Sequence, residues 1–130
     1  FTLVEDDVYG DLAPGRALRL ASLDQLQRVI YLSGFSKTLS ANLRVGYIAA
    51  EAGVAQRLAD LKMLTGLTTP ELTERVVTRV LAEGQYRRHL DRVRGRLDAA
   101  RDRTARALER AGARLVLQPE AGIFLWVDFG

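Results

Sequence analysis

The sequence predicts an α/β chain in which short buried strands lead through a long amphipathic helix into a small α+β lobe. Three observations carry that reading. Short apolar runs separated by turns fill the first half, apolar residues recur at helical spacing through the second, and two further β-like runs close the chain. Length and composition agree: 130 residues, 48% hydrophobic and 27% charged, are one domain's worth of globular material with enough apolar mass for a core.

Each element follows from local pattern. Phe1–Val4 is strand-like and ends at the acidic run Glu5-Asp6-Asp7. Residues 10–16, with Pro14-Gly15, read as a loop. Arg28–Ser33 is a second strand, apolar on both faces as a buried parallel strand would be. Leu43–Ala50 is a third. Polar residues gather where these strands end, which is where open α/β sheets place ligands. From Ala52 to about Leu64, Val54, Leu58 and Leu61 keep helical spacing. Thr69-Pro70-Glu71 supplies a hydroxyl N-cap, a first-position proline and an acid against the helix dipole. That helix runs through Val76, Val77, Val80 and Leu81 to a stop at Gly84. Tyr86, Leu90, Val93, Leu97, Ala100, Thr104 and Leu108 then predict one helix over 85–111. Arg114–Leu117 and Ile123–Val127 are strands joined by residues 118–122. The expected division is residues 1–66 in a larger α/β domain, and 67–130 as connecting helices and the start of a smaller domain.

Composition excludes several classes of function. There is no cysteine, hence no disulfide or thiolate metal site, and a reducing cytoplasm fits. A single histidine and no carboxylate cluster argue against a catalytic metal. No apolar run approaches the roughly 20 residues that span a bilayer. Both ends fall in or beside β-like runs, so the chain is expected to be an internal piece of a longer protein. Basic and acidic side chains balance over residues 1–66, but residues 85–114 hold ten arginines against four acids. Such a helix could bind nucleic acid. The favoured reading is a solvated arginine-rich face with Asp98–Arg101 and Asp102–Arg106 pairs, because no aromatic interleaving or DNA-reading motif accompanies it.

The chemistry centres on Lys37, one of two lysines beside seventeen arginines. It lies in Ser36-Lys37-Thr38, after a buried-type strand and within a Gly/Ser-rich turn. Only an unprotonated amine attacks an aldehyde, so such a lysine needs burial or nearby positive charge. Phe35, Leu39, Leu43 and Arg44 could provide both. The competing reading is a surface lysine. Arg44 can grip a phosphate bidentately, or else pair with a carboxylate. Ser36 offers a hydroxyl to the same phosphate, or only turn chemistry. Asp6 could protonate a pyridine nitrogen, making the ring an electron acceptor. Tyr9, three residues on, could donate to a ring oxygen. Asp-x-x-Tyr alone is weak; joined to Ser-Lys and an arginine seven residues later, it points to pyridoxal phosphate.

Val4–Leu12, Val29–Leu39, Leu43–Tyr47, Tyr86–Leu90 and Pro119–Val127 together resemble the fold-type I, class I/II aminotransferases. Within that group the sequence is most similar to the aminotransferase-like domains of MocR-type GntR transcriptional regulators. The resemblance covers essentially the whole chain and implies a mixed, mostly parallel sheet with flanking helices. It implies that Lys37 forms the Schiff base with pyridoxal 5'-phosphate and shuttles the proton at the substrate α-carbon. Asp6 would pair the pyridinium nitrogen, Tyr9 the ring oxygen, and Ser36 and Arg44 the phosphate. Asp6 is preferred to Asp7 because the family spacing to the tyrosine is three. His89 matches a helix position with no catalytic role and is assigned to packing or surface. One departure stands out: the family places serine or threonine three residues before the lysine, where this chain has Gly34, preceded by Ser33. Either Ser33 substitutes through a shifted turn, or one phosphate contact is lost.

Two functions share this site. One is an aminotransferase acting on an amino acid and a 2-oxo acid. The other is an effector-sensing domain of a regulator, whose DNA contact is made by a domain outside this chain. A third reading is an α/β domain without cofactor. The resemblance also implies a homodimer of the full-length protein; composition and hydropathy add the expectation of a cytoplasmic protein without membrane contact.

Overall fold

A computed structural model describes residues 1–13, 15, 18–66 and 68–130. Of the loop expected over residues 10–16, Pro14 and Arg16 lie outside the described residues. Strands β1 (Leu3–Asp6), β2 (Val29–Gly34) and β3 (Gly46–Ala49) form one sheet in that order. β1 and β2 pair in parallel with Leu3 opposite Val29 and Asp6 opposite Leu32. β3 returns antiparallel to β2, with Tyr31 opposite Ala49 and Gly34 opposite Gly46. The sheet is therefore mixed. Helices α1 (Leu20–Asp24), α2 (Ala52–Thr65), α3 (Glu71–Ala82) and α4 (Gln85–Arg110) follow the predicted spacing, α1 having gone unassigned. β4 (Arg114–Leu117) and β5 (Trp126–Asp128) make an antiparallel pair.

Strand boundaries shift in ways that matter for the site. β1 starts two residues later than expected and runs on to Asp6, which carries that acid to the strand's C-terminal end. The third strand is shorter than its apolar pattern. Ala41–Leu43 forms a single 3-10 turn, and Arg44 takes a left-handed conformation (φ 54°, ψ 32°) before β3 begins. Arg44 thus stands in a turn and is exposed, not embedded in an apolar strand as its neighbours suggest.

Backbone groups at the element ends find side-chain partners. The Glu5 carboxylate accepts from the N–H groups of Leu20 (2.9 Å) and Ala21 (2.8 Å), so β1 caps α1 from fifteen residues away. At the other end of α1, Asp24 accepts from the N–H groups of Arg28 and Val29, leading the chain into β2. Glu51 caps α2 through Gly53 (2.9 Å) and Val54 (3.2 Å), which holds its carboxyl below the usual range. At α3 the expected hydroxyl cap is absent: Pro70 occupies the cap position, and Thr69 Oγ1 accepts from Lys62 Nζ at 3.2 Å.

Among the described residues, Leu12, Ala21, Val29, Val77, Leu90, Ala105 and Ala113 are the buried apolar ones. They mark a thin core in which α4 packs against α3, β4 and the Gly10–Leu12 turn. The arginines of α4 do not all face solvent. Arg94 donates from Nε (3.1 Å) and Nη2 (2.8 Å) to the Asp11 carbonyl. Arg101 bonds Asp98 at 2.8 Å and the Gly122 carbonyl at 3.3 Å, with its side chain only 10% exposed. Asp98–Arg101 is thus one of the expected pairs, whereas Asp102 and Arg106 are not paired among the described residues. No described helix is long and apolar enough to cross a membrane.

Replacing Glu5 by alanine leaves two α1 donors uncapped. It should lower the unfolding free energy of the full-length protein by about 1 kcal/mol; chemical denaturation measures this, and an unchanged midpoint and slope would refute the cap.

Candidate functional site

Residues 35–45 connect β2 to β3, and the antiparallel return brings their two ends together. Ser36 and Lys37 leave the end of β2; Arg44 enters β3. All three line one cavity of about 200 Å³, together with Val8, Gly34, Val45 and Gly46. No carboxylate among the described residues lines it. Among the described residues neither Lys37 nor Arg44 has an ion-pair partner. Two cations and a hydroxyl therefore face a glycine-walled hollow without an internal counter-charge. The left-handed backbone at Arg44 costs a non-glycine residue about 1–2 kcal/mol, and such residues cluster at ligand sites.

Close approach on the cavity wall favours glycine. A Cβ added at Gly34 would lie 3.2 Å from both Gly46 Cα and the Val45 carbonyl oxygen. One added at Gly46 would meet the Ser33 carbonyl oxygen at 3.1 Å. This is where the family pattern calls for serine or threonine, and a side chain there would have to push backbone, not a flexible tip. Ser33 does not replace that hydroxyl freely: its Oγ donates to the Asp7 carbonyl at 3.1 Å, tying β2 to the turn after β1.

The acidic run separates into three roles. Glu5 caps α1. Asp7 accepts from Arg19 Nε and, at 2.7 Å, from the Tyr31 hydroxyl. Burial first, and Asp7 second, push the Tyr31 phenol well above its usual range. Asp6 is exposed and accepts only the Val8 N–H at 3.2 Å, leaving its carboxylate otherwise free among the described residues. Tyr9 lies beside the lysine: Lys37 Nζ stands 5.9 Å from the centre of its ring, and Phe124 meets the ring edge-on at 5.7 Å. Tyr9 and Lys37 are thus brought together, and Ser36, Lys37 and Arg44 share the cavity. Asp6 does not line it, although Val8, two residues on, does.

Residues that sequence reasoning passed over hold the lysine turn in place. Thr38 is 3% exposed. The Tyr86 hydroxyl lies 2.8 Å from both Thr38 Oγ1 and Asp11 Oδ2. With one proton, it donates to the carboxylate and accepts from the threonine. Burial raises the Tyr86 phenol well above its ordinary value. His89 Nε2 lies 2.9 Å from the Thr38 carbonyl, which assigns its proton to Nε2. His89 packs, as expected, but it packs on the site. Only the polar Thr38 beside Lys37 hinted at such partners, since they lie 48 and 51 residues away along the chain.

A roomier cavity of about 560 Å³ borders β5 and is lined by Leu117, Ile123, Phe124, Trp126 and their neighbours. Among the described residues no titratable side chain or hydroxyl lines it.

The family model "Aminotransferase class I and II" matches residues 1–130, and the chain belongs to that family. An uncharacterized HTH-type transcriptional regulator of Bacillus subtilis, YisV, is 36% identical over 98% of this chain and 27% of its own length. Two solved structures are similar over 98% of this chain. The kynurenine aminotransferase of Pyrococcus horikoshii, in complex with PMP, has 32% identity and a TM-score of 0.87. The α-aminoadipate aminotransferase LysN of Thermus thermophilus, complexed with N-(5'-phosphopyridoxyl)-L-leucine, has 34% identity and a TM-score of 0.83. The chain spans about a third of each of those two and 27% of YisV.

Gly34→Ala should lower the unfolding free energy of the full-length protein by about 1–3 kcal/mol, because backbone must yield to the added methyl. A neutral or stabilising effect in chemical denaturation would contradict the close approach of Gly34 and Gly46.

Proposed function

We propose that this chain supplies the lysine, the phosphate grip and the ring-contacting side chains of a pyridoxal phosphate-dependent aminotransferase. In that reading the parent protein moves an amino group between an amino acid and a 2-oxo acid. The observation that carries it is the pair Lys37 and Arg44 on one cavity that no carboxylate among the described residues lines. The donor set fits a phosphorylated aldehyde: a fork of N–H donors, a hydroxyl and a primary amine converge where an anion would be the missing charge. The LysN complex adds support, because a phosphopyridoxyl amino acid is what that relative holds.

The residue roles follow from this chemistry. Arg44 binds the phosphate bidentately, and Ser36 donates a hydroxyl to it. Lys37 Nζ would be the amine that holds the aldehyde and the group placed to move a proton at the substrate α-carbon. Asp6, which lies outside the cavity lining, would keep the pyridine nitrogen protonated, and Tyr9 would donate to the ring oxygen. The cofactor, when bound, supplies an electron-accepting ring.

A second reading rests on the similarity to YisV. There the same residues bind cofactor and an amine effector, and a DNA-binding domain elsewhere in the parent protein reports the event. Both readings need Lys37. They separate on turnover: an enzyme converts amino acid to 2-oxo acid with multiple cycles, whereas a sensor changes DNA affinity without net conversion.

In the full-length protein, Lys37→Ala should abolish both the absorbance band of lysine-linked cofactor and any transamination. Arg44→Ala should raise the cofactor dissociation constant about tenfold to a hundredfold, the worth of one or two charge-assisted hydrogen bonds. Absence of any pyridoxal absorbance in the native protein, with or without added cofactor, would sink both readings and favour an α/β domain without cofactor.

A further inference from the structure

α4 reaches the lysine turn through two side chains that the proposed chemistry leaves unused. Tyr86 touches the turn on both sides of Lys37: its ring packs edge-on against Phe35 at 5.6 Å, and its hydroxyl meets Thr38 Oγ1 at 2.8 Å. His89, one helical turn further along α4, donates from Nε2 to the Thr38 carbonyl at 2.9 Å. The hydroxyl and the carbonyl of Thr38, the most buried polar residue among those described, are thereby both met from one helix. The same Tyr86 hydroxyl is bonded to Asp11, whose carbonyl Arg94 holds through two N–H groups. Asp11 lies two residues beyond Tyr9, and Tyr9 is the ring beneath the Lys37 amine. α4 therefore ties both halves of the Lys37–Tyr9 pair to one rigid support.

We propose that Tyr86 and His89 are positioning residues that clamp the Phe35–Ser40 turn and so aim Lys37 into its cavity. The inference rests on the pyridoxal phosphate reading for its chemical consequence, though not for its structural part. A lysine has a long, rotamer-rich stem, and fixing the adjacent backbone removes much of its freedom before any bond forms. The turn has two internal bonds of its own, from the Leu39 and Ser40 N–H groups to the Phe35 carbonyl at 2.8 and 3.0 Å. Their amides report directly on whether the clamp is closed.

The test uses the full-length protein, first without cofactor. Tyr86→Phe keeps the ring and removes the hydroxyl. It should speed hydrogen exchange at the Leu39 and Ser40 amides about tenfold, the worth of one lost hydrogen bond, while β2 amides stay unchanged. Thr38→Val, nearly isosteric, should do the same and serves if Tyr86→Phe does not fold. Pyridoxal 5'-phosphate is then added and its linkage to Lys37 followed by absorbance. The limiting rate of linkage should fall about tenfold, with the dissociation constant of the initial encounter unchanged. His89→Ala should act likewise, and His89→Gln, which returns an N–H at similar reach, should restore both readouts. Unchanged exchange and linkage rates in Tyr86→Phe and Thr38→Val would overturn the clamp, as would His89→Gln behaving like His89→Ala. Failure of the native protein to link cofactor would instead overturn the function reading, and the exchange arm would still decide the clamp.

Discussion

Everything distinctive about this chain's candidate site depends on the antiparallel return of β3 along β2, ending where Gly34 faces Gly46 at close approach. A parallel neighbour would carry the chain away through a crossover and leave Arg44 far from Lys37. The return instead closes residues 35–45 on themselves and sets amine, guanidinium and hydroxyl around one hollow. Glycine is favoured on that wall because the atoms nearest an added methyl belong to backbone. The family departure at position 34 falls where the two strands approach closely: a side chain there would require the Gly46 and Val45 backbone to yield by a few tenths of an ångström.

Charge is distributed with the same economy. Glu5, Asp7 and Asp11 lie within a few residues of the site, yet each is engaged by structure: a helix N-terminus, an arginine and a phenol, and the Tyr86 hydroxyl. Among the described residues, Asp6 is left without a cation, and Lys37 and Arg44 without a carboxylate. Neutralising the acids close at hand keeps the cations available to an outside anion. Aromatic packing runs in step with this, from Tyr31 through Tyr47 and Phe35 to Tyr86, joining the Asp7 pair to α4.

Much of this was legible in the sequence because the signals are local. Helical spacing located α2, α3 and α4 to within a residue or two of their observed ends. The run Ser36-Lys37 followed by Arg44 marked the cavity-lining residues because a short connection forces them to be neighbours. What escaped was set by tertiary contact. The apolar pattern Leu43–Ala50 suggested one strand, but the turn that closes the cavity takes Leu43 and Arg44 out of it. Thr69 looked like an N-cap and instead meets Lys62. Tyr86 and His89 looked like helix-face residues, and nothing within a helix's own periodicity says that a hydroxyl and an imidazole will reach a turn almost fifty residues upstream.

The central claim is that Lys37 is the amine that anchors pyridoxal phosphate. Its most direct test is chemical: load the full-length protein with pyridoxal 5'-phosphate, reduce with borohydride, digest, and locate the phosphopyridoxyl group by mass spectrometry. The account predicts a stoichiometric adduct on the peptide containing Lys37. An adduct confined to Lys62 or to any other amine, or no adduct at all, would contradict it.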